Sequence, residues 1–316
     1  MNLQYKNFVG RIFYFFFPLV AFVYIALTTN WRELAHNVEL MSAGAILLII
    51  VLYFVTVFLK YYRVYLILGL KQLNFSDFAK IAEYNILLNF LPLKLGEVYL
   101  IKFIQSKNFN TKAAIGNLIV LRIIDLIAIF IIFLVVFLLN FNFLIDEIQK
   151  FSSLKHLSIN SAMVLSLIFV LFIFILKKIS KLHTNINKFY TLLRQNLFHK
   201  TLFLSSVTIW GIMYLFGLII MRDLNVILPT SKIFLGQSIN LVVGVLPINT
   251  FANLGIFELT WGESFSMLGL SNTQAYSTGI IAHWVMILAV IVSGVITYFL
   301  KFCIYRSGGR TTCNET

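Results

Sequence analysis

Residues 89–100, NFLPLKLGEVYL, place a proline, a lysine, a glycine and a glutamate inside an apolar stretch. Pro92 removes a backbone donor and stops a helix, and Gly96 permits a tight turn or a close backbone approach. Lys94 and Glu97 add two charges at the same point. In a membrane, irregular backbone is tolerated only where protein or a watery cavity satisfies its polar groups. In a membrane setting, the stretch therefore predicts the tip of a re-entrant helical hairpin.

The composition is that of an integral membrane protein. Of the 316 residues, 60% are hydrophobic, 12% are charged and 32 are phenylalanine. Soluble domains carry about 25% charged residues. Several windows exceed the roughly 18 apolar residues that indicate a membrane-spanning helix. We therefore predict an all-α polytopic membrane protein that forms a single transmembrane domain over residues 1–316.

The apolar runs predict about six full spans and two re-entrant, broken-helix hairpins. The broken regions, 76–105 and 232–269, are interrupted by proline, glycine, asparagine and charge. A full span needs about 20 consecutive, mostly apolar residues, and neither region supplies them without interruption. The six predicted spans are 12–28, 40–60, 113–139, 158–177, 202–221 and 275–300.

Positive charge is distributed unevenly along the chain, which has a net charge of +13. With the N-terminus in the cytoplasm, 19 Lys and Arg residues fall on the cytoplasmic side and five on the other. This count assigns Lys60, at the end of the second span, and Arg63 to the cytoplasmic side. The bias predicts a cytoplasmic (inner) membrane protein with both termini in the cytoplasm. No arginine-rich or aromatic-interleaved surface indicates a nucleic-acid partner.

The two broken regions align with one another. SDFAKIAEYNILLNFLP (76–92) can be set over SKIFLGQSINLVVGVLP (231–247) without a gap, at an offset of 155 residues. The aligned pairs include Asn85 with Asn240 and Pro92 with Pro247. These positions predict two copies of one structural unit, in which the asparagines satisfy hairpin backbone and the prolines mark the tips.

Each copy continues to a glycine and a glutamate, Gly96-Glu97 in the first and Gly255 with Glu258 in the second. An Asn-Thr-x-Ala turn follows and opens a full span. The predicted repeats are 40–139 and 202–300. Because the chain crosses the membrane three times between them, the copies are expected to be inverted. Inverted repeats with broken helices near the midplane are a transporter architecture.

Arg122 and Asp125 lie three residues apart inside the predicted span 113–139. Residues at this spacing share one helix face, and ionisable groups inside a membrane face a cavity or each other. They could form an ion pair that locks this helix to a neighbour. Alternatively, Asp125 holds Arg122 in place while Arg122 binds an anionic head group bidentately.

The equivalent glutamates add further candidates. Glu97 and Glu258 could accept from backbone donors, pair with Lys94 or Arg122, or contact a cationic head group. His283 lies one position from the repeat equivalent of Arg122, and a lone histidine more often serves packing than proton transfer. The substrate-binding candidates are Arg122, Glu97, Glu258, Lys94 and Asp125. The hairpin candidates are Pro92, Gly96, Pro247, Gly255, Asn85 and Asn240.

Motifs for other chemistries are missing from the sequence. The five histidines and two cysteines have no zinc spacing, and there is no Walker motif or GxSxG elbow. We therefore expect no metal and no cofactor.

The first motif resembles the lysylphosphatidylglycerol synthase transmembrane region, a flippase-like family. Pro92 through Glu97 matches P-x-x-x-G-E, Arg122 with Asp125 matches R-x-x-D, and Pro247, Gly255 and Glu258 match the second signature. The resemblance covers about residues 40–300. It implies a lipid-translocating membrane domain. The chain has no room for the soluble aminoacyl-transferase domain of the two-domain synthase, so lysyl transfer is not expected.

Three functions are compatible with these features. The first is a flippase or scramblase for a lipid with a charged head group: an anionic phospholipid, an aminoacylated phospholipid or a polyprenyl-linked lipid. The second is a non-transporting accessory subunit of a lipid-modifying synthase or glycosyltransferase, with the basic stretch 178–200 as a dock for the partner enzyme. The third, a membrane enzyme with Glu97 or Asp125 as base, lacks a visible nucleophile–base pair. Homo-oligomerisation is compatible with all three.

Overall fold

A computed structural model describes residues 27, 31–68, 75–92, 95–139, 200–245 and 250–308. Within these ranges the chain is helical and contains no strand, so the all-α prediction is confirmed. The α-helices are α1 (Trp31–Leu40), α2 (Ala43–Ile67), α3 (Phe75–Phe90), α4 (Gly96–Gln105), α5 (Thr111–Leu139), α6 (Lys200–Asp223), α7 (Thr230–Val245), α8 (Ile256–Met267) and α9 (Asn272–Gly308). A short 3-10 turn, Phe251–Asn253, precedes α8.

Four of these helices are long and apolar enough to cross a membrane: Ala43–Ile67, Thr111–Val136, Lys200–Asp223 and Asn272–Cys303. They cover four of the predicted spans, and the multi-pass membrane class is thereby confirmed. The predicted spans 12–28 and 158–177 lie outside the described residues. The number of spans and the orientation of the termini stay predictions.

Helix α2 runs seven residues beyond the predicted end of its span at residue 60. Lys60 and Arg63 therefore both lie on this helix. The side of the membrane to which the charge count assigned them stays a prediction. Tyr61 and Val64 on the same segment are buried, so the apolar helical pattern continues through the charged residues.

The order of helices recurs along the chain. A long helix, a 16-residue helix, a short helix and a second long helix appear as α2 to α5 and again as α6 to α9. Helix α7 begins and ends 155 residues after α3, which is the offset of the sequence alignment. A helix of 16 residues rises about 24 Å, whereas the hydrocarbon core is about 30 Å thick. Neither α3 nor α7 is long enough to span the core alone.

The two sets of helices pack against each other. Helix α5 contacts α7, and α9 correspondingly contacts α3, while α2 packs on α6. At Gly294 on α9 an added Cβ would collide with the side chain of Ile86 on α3. Small residues of this kind let helices approach closely inside membranes. The long last helix of each set thus packs on the broken segment of the other.

The breaks in the two short-helix regions lie side by side. The Phe90 ring at the end of α3 meets the Phe251 ring edge-on, with centroids 6.5 Å apart. Ala252 and Asn253 have φ angles of 49° and 59°, a left-handed backbone that costs free energy in residues other than glycine. Gly255 has a φ of 82°. The predicted tip residues Lys94 and Pro247 lie outside the described residues.

Helices α3 and α4 are fastened to each other on both sides of the first break. Tyr99 on α4 donates a hydrogen bond to the Glu83 carboxylate on α3. Gly96, the first residue of α4, lies so close to α3 that a Cβ there would meet the backbone of Leu88. Gly96 therefore serves a close backbone approach rather than a left-handed turn.

Large apolar side chains remain exposed along one stripe of α2 and one of α9, as expected for a surface that faces lipid. On α2 the stripe is Leu47, Val51, Val55 and Phe58, and on α9 it is Trp284, Leu288, Ile291 and Val295.

We predict that Gly96→Ala destabilises the protein, because the new methyl group overlaps the α3 backbone and overpacking costs about 1–3 kcal/mol. Gly211→Ala on α6 is the matched control, because a Cβ there meets no atom within 4 Å. It should leave stability unchanged or raise it by up to about 1 kcal/mol. Thermal unfolding of both variants in detergent tests this, and equal unfolding temperatures would contradict the close approach.

Candidate functional site

A cavity of about 200 Å³, here the central cavity, lies among the long helices and the two breaks. It is lined by residues of every helix from α2 to α9, with Asn253 of the 3-10 turn. Its polar lining is Tyr53, Lys60, Arg63, Tyr84, Asn89, Arg122, Asp125, Trp210, Asn240, Asn253 and Thr260. Arg122 is the twelfth residue of α5, roughly 16 Å from the helix start. The charged lining is thus far from the helix end.

The most buried ion pair at the cavity joins α2 to α5. Arg63 Nη1 lies 2.7 Å from Asp125 Oδ1, and Arg63 Nη2 lies 3.2 Å from Asp125 Oδ2. The two side chains are 5% and 8% exposed. The indole of Trp210 on α6 donates a third hydrogen bond to Asp125, at 3.1 Å. A single carboxylate therefore joins three long helices.

A second ion pair is more open. Arg122 Nη2 on α5 lies 2.6 Å from Glu97 Oε1 on α4, and these side chains are 24% and 26% exposed. The sequence offered two partners for Glu97, and Arg122 is the one observed. The idea that Asp125 holds Arg122 is wrong, because Asp125 is turned towards α2 and α6 instead. Residues three apart on a helix differ by about 60° in direction, which is enough to reach different neighbours.

Lys60 is hydrogen-bonded to a network of neutral side chains. Its Nζ donates to Asn85 Oδ1 at 2.6 Å, and Asn85 Nδ2 donates to the Tyr53 hydroxyl at 2.9 Å. Asn89 donates to the same hydroxyl at 3.2 Å. The sequence assigned Asn85 to hairpin backbone, whereas the structure places its side chain on α2 residues.

The second break has its own buried pair, which does not line the central cavity. His283 Nδ1 on α9 lies 2.6 Å from Glu258 Oε1, and His283 Nε2 lies 2.8 Å from the Ala252 carbonyl. Glu258 also accepts from the Gly255 N–H at 2.8 Å. A carbonyl can only accept, so Nε2 carries a proton, and the contact at Nδ1 holds one further proton between histidine and carboxylate. The pair holds the strained backbone of Ala252 in place.

The two glutamate pairs occupy matching positions. Glu97 and Arg122 are 25 residues apart in the chain, as are Glu258 and His283. Arg122 and His283 are each the twelfth residue of their helix. The other predicted pair of equivalents differs: Asn85 contacts Lys60, whereas Asn240 Oδ1 accepts from the Thr260 hydroxyl at 2.7 Å.

Lys60, Arg63, Tyr53 and Trp210 were not identified as site residues from the sequence. One available signal was the seven-residue spacing of Tyr53 and Lys60, which puts both on one face if the helix continues. Within the described ranges no three His, Cys, Asp or Glu residues lie close enough to hold a metal ion.

These features define a multi-pass membrane protein with a charged cavity between its helices. The family model described as the lysylphosphatidylglycerol synthase TM region matches residues 12–294. The chain belongs to this family. No curated protein and no solved structure gives a significant match to the chain.

We predict that Asp125→Leu strongly destabilises the fold, because it leaves Arg63 buried without its counter-ion. Breaking a buried pair costs about 3–5 kcal/mol, whereas replacing both partners by apolar residues is often far less costly. The double variant Arg63→Leu/Asp125→Leu should therefore unfold at a higher temperature than Asp125→Leu alone. The control Asp77→Leu breaks the pair with Lys107 and leaves a lysine that is 26% exposed, so it should cost less.

Thermal unfolding of the four proteins in one detergent completes the test. Additive losses in the double variant would show that the two side chains do not depend on each other.

Proposed function

We propose that this protein translocates a lipid with a charged head group across the cytoplasmic membrane. The head group occupies the central cavity while the acyl tails stay in the surrounding lipid. The observation that carries the proposal is the presence of Lys60, Arg63 and Arg122 around one cavity between the helices. Charged side chains are costly inside a membrane and mark substrate pathways there.

The size of the cavity supports a head group as its occupant. Pockets that enclose drug-sized ligands measure about 300–1,000 Å³, whereas the central cavity measures about 200 Å³. A space of this size suits a head group and not two acyl chains. Membership of a membrane-domain family named for a lipid synthase agrees with a lipid-related role.

We infer an inverted repeat with two re-entrant hairpins, in which residues 76–105 enter from the cytoplasmic face and 232–269 from the opposite face. The recurring helix order, the 155-residue offset of α3 and α7, and the matching glutamate pairs support the duplication. The ring contact of Phe90 with Phe251 supports tips that meet inside the membrane. In this proposal both termini lie in the cytoplasm, and the two hairpin tips enclose a cavity between the two leaflets.

The Arg122–Glu97 pair is the proposed point of contact with the head group. Its side chains are about a quarter exposed, whereas the Arg63–Asp125 pair is almost fully buried. Separating the more exposed pair costs less free energy, because neither side chain is left as a fully buried, unpaired charge. Arg122 can therefore exchange Glu97 for a phosphate oxygen while Arg63–Asp125 keeps the helices in place.

We predict that Arg122→Ala and Glu97→Gln each abolish lipid movement while the protein still folds. The purified chain is reconstituted in liposomes with fluorescent phosphatidylglycerol, lysyl-phosphatidylglycerol or a polyprenyl phosphate. A membrane-impermeant quencher then reports which leaflet each lipid occupies. Lys112→Gln is the control, because this lysine is exposed at the start of α5 and does not line the cavity.

Normal movement in both site variants would contradict the proposed role of the pair. No movement of any lipid by the intact protein would contradict translocation and favour the accessory-subunit hypothesis.

A further inference from the structure

We propose that the cavity selects a head group with a phosphate and a net negative charge, and excludes one whose charge is offset by an amine. This inference rests on the proposed function and concerns the same cavity.

The charged side chains of the site have a net positive charge. The charged side chains that line the cavity or pair with its lining are Lys60, Arg63, Arg122, Asp125 and Glu97. With each group in its ordinary ionised state, these five sum to one positive charge. An uncompensated charge away from water is costly. An anion bound among these groups removes the imbalance, whereas a zwitterion or a cation does not.

Lys60 is a cation in the cavity with unused hydrogen-bond donors. An ammonium group has three donors, and Lys60 uses one of them on the neutral Asn85. In the described part of the chain no carboxylate lies within 4 Å of its Nζ. The cavity therefore contains a cation whose observed contacts are an amide oxygen and the ring of Tyr53, 5.8 Å away.

The Nε–H of Arg63 is a second unused donor at the cavity. Asp125 fixes the guanidinium of Arg63 at both Nη atoms, so the group cannot rotate freely. Arg63 is 4% exposed, and its Nε–H finds no hydrogen-bond partner among the described residues. Buried donors are nearly always paired, and each exception needs an explanation. A ligand oxygen in the cavity that Arg63 lines provides one.

The carboxylate acceptors at the site are already hydrogen-bonded to other side chains. Asp125 accepts three hydrogen bonds, two from Arg63 and one from Trp210. Glu97 pairs with Arg122. An ammonium group on the head group would find these carboxylates engaged and would add to the positive excess. The site thus favours phosphatidylglycerol-like anions over their lysylated forms.

Native mass spectrometry of the purified full chain with equimolar phosphatidylglycerol and lysyl-phosphatidylglycerol tests the preference directly. These two lipids differ only in the lysyl group. We expect phosphatidylglycerol to bind about tenfold more tightly, because one additional hydrogen bond to a charged group provides enough binding free energy for a tenfold change in Kd. Lys60→Gln should remove most of this difference, Lys60→Arg should restore it, and Lys112→Gln should leave it unchanged. Equal binding, or preference for the lysylated lipid, would overturn the proposal.

A third arm adds glycerol 3-phosphate as a soluble competitor. We expect it to displace phosphatidylglycerol only in large excess, because it lacks the acyl chains. Displacement at equal concentration would show a site for a soluble phosphate and would overturn the assignment to a lipid.

The binding and movement experiments test the anionic preference and the translocation proposal separately. Selective binding without movement in liposomes would keep the anionic preference and refute translocation. Movement of both lipids at one rate, with equal binding, would keep translocation and refute the preference.

Discussion

The buried pair of Arg63 and Asp125 is the interaction on which the rest of the site depends. A charge this far from water is tolerated only when it is paired and hydrogen-bonded, and Asp125 meets that condition with donors from α2 and α6. Because the three helices must keep this geometry, the cavity between them keeps its shape. Arg122, one turn away on α5, is then free to take a partner from the broken region.

The two breaks use the same position in different ways. In the first, Arg122 and Glu97 remain a quarter exposed, and Arg122 lines the cavity. In the second, His283 and Glu258 are buried and hold the backbone of Ala252 and Gly255. The long side chain of Arg122 is always charged and reaches the cavity. The imidazole of His283 has two ring nitrogens, so it can contact the Glu258 carboxylate and the Ala252 carbonyl at once. We infer that the first break contacts the ligand and the second supports it.

The sequence predicted the membrane class, the helical breaks and the family because each leaves a local signal: apolar length, a proline with glycine, and a motif. It did not predict the partners of Asp125, because its nearest opposite charge in sequence, Arg122, is turned to another helix. Lys60 and Arg63 were missed since a positive charge near the end of an apolar run is typical of a loop. The structure shows that α2 continues past them to Ile67, with Tyr61 and Val64 buried. Tertiary packing decides which helices meet around a cavity, and the hydrophobic periodicity of the sequence does not predict this.

The most direct test of the account is to map where each part of a lipid lies against the protein. Phospholipids with a photoreactive diazirine in the head group, or in the acyl tail, are crosslinked to the full chain in liposomes, and mass spectrometry locates the adducts. The account predicts head-group adducts at cavity residues such as Met213 and Leu88, and tail adducts on exposed faces such as Leu134 and Val295. Head-group adducts confined to the helix ends, with none in the cavity, would contradict it.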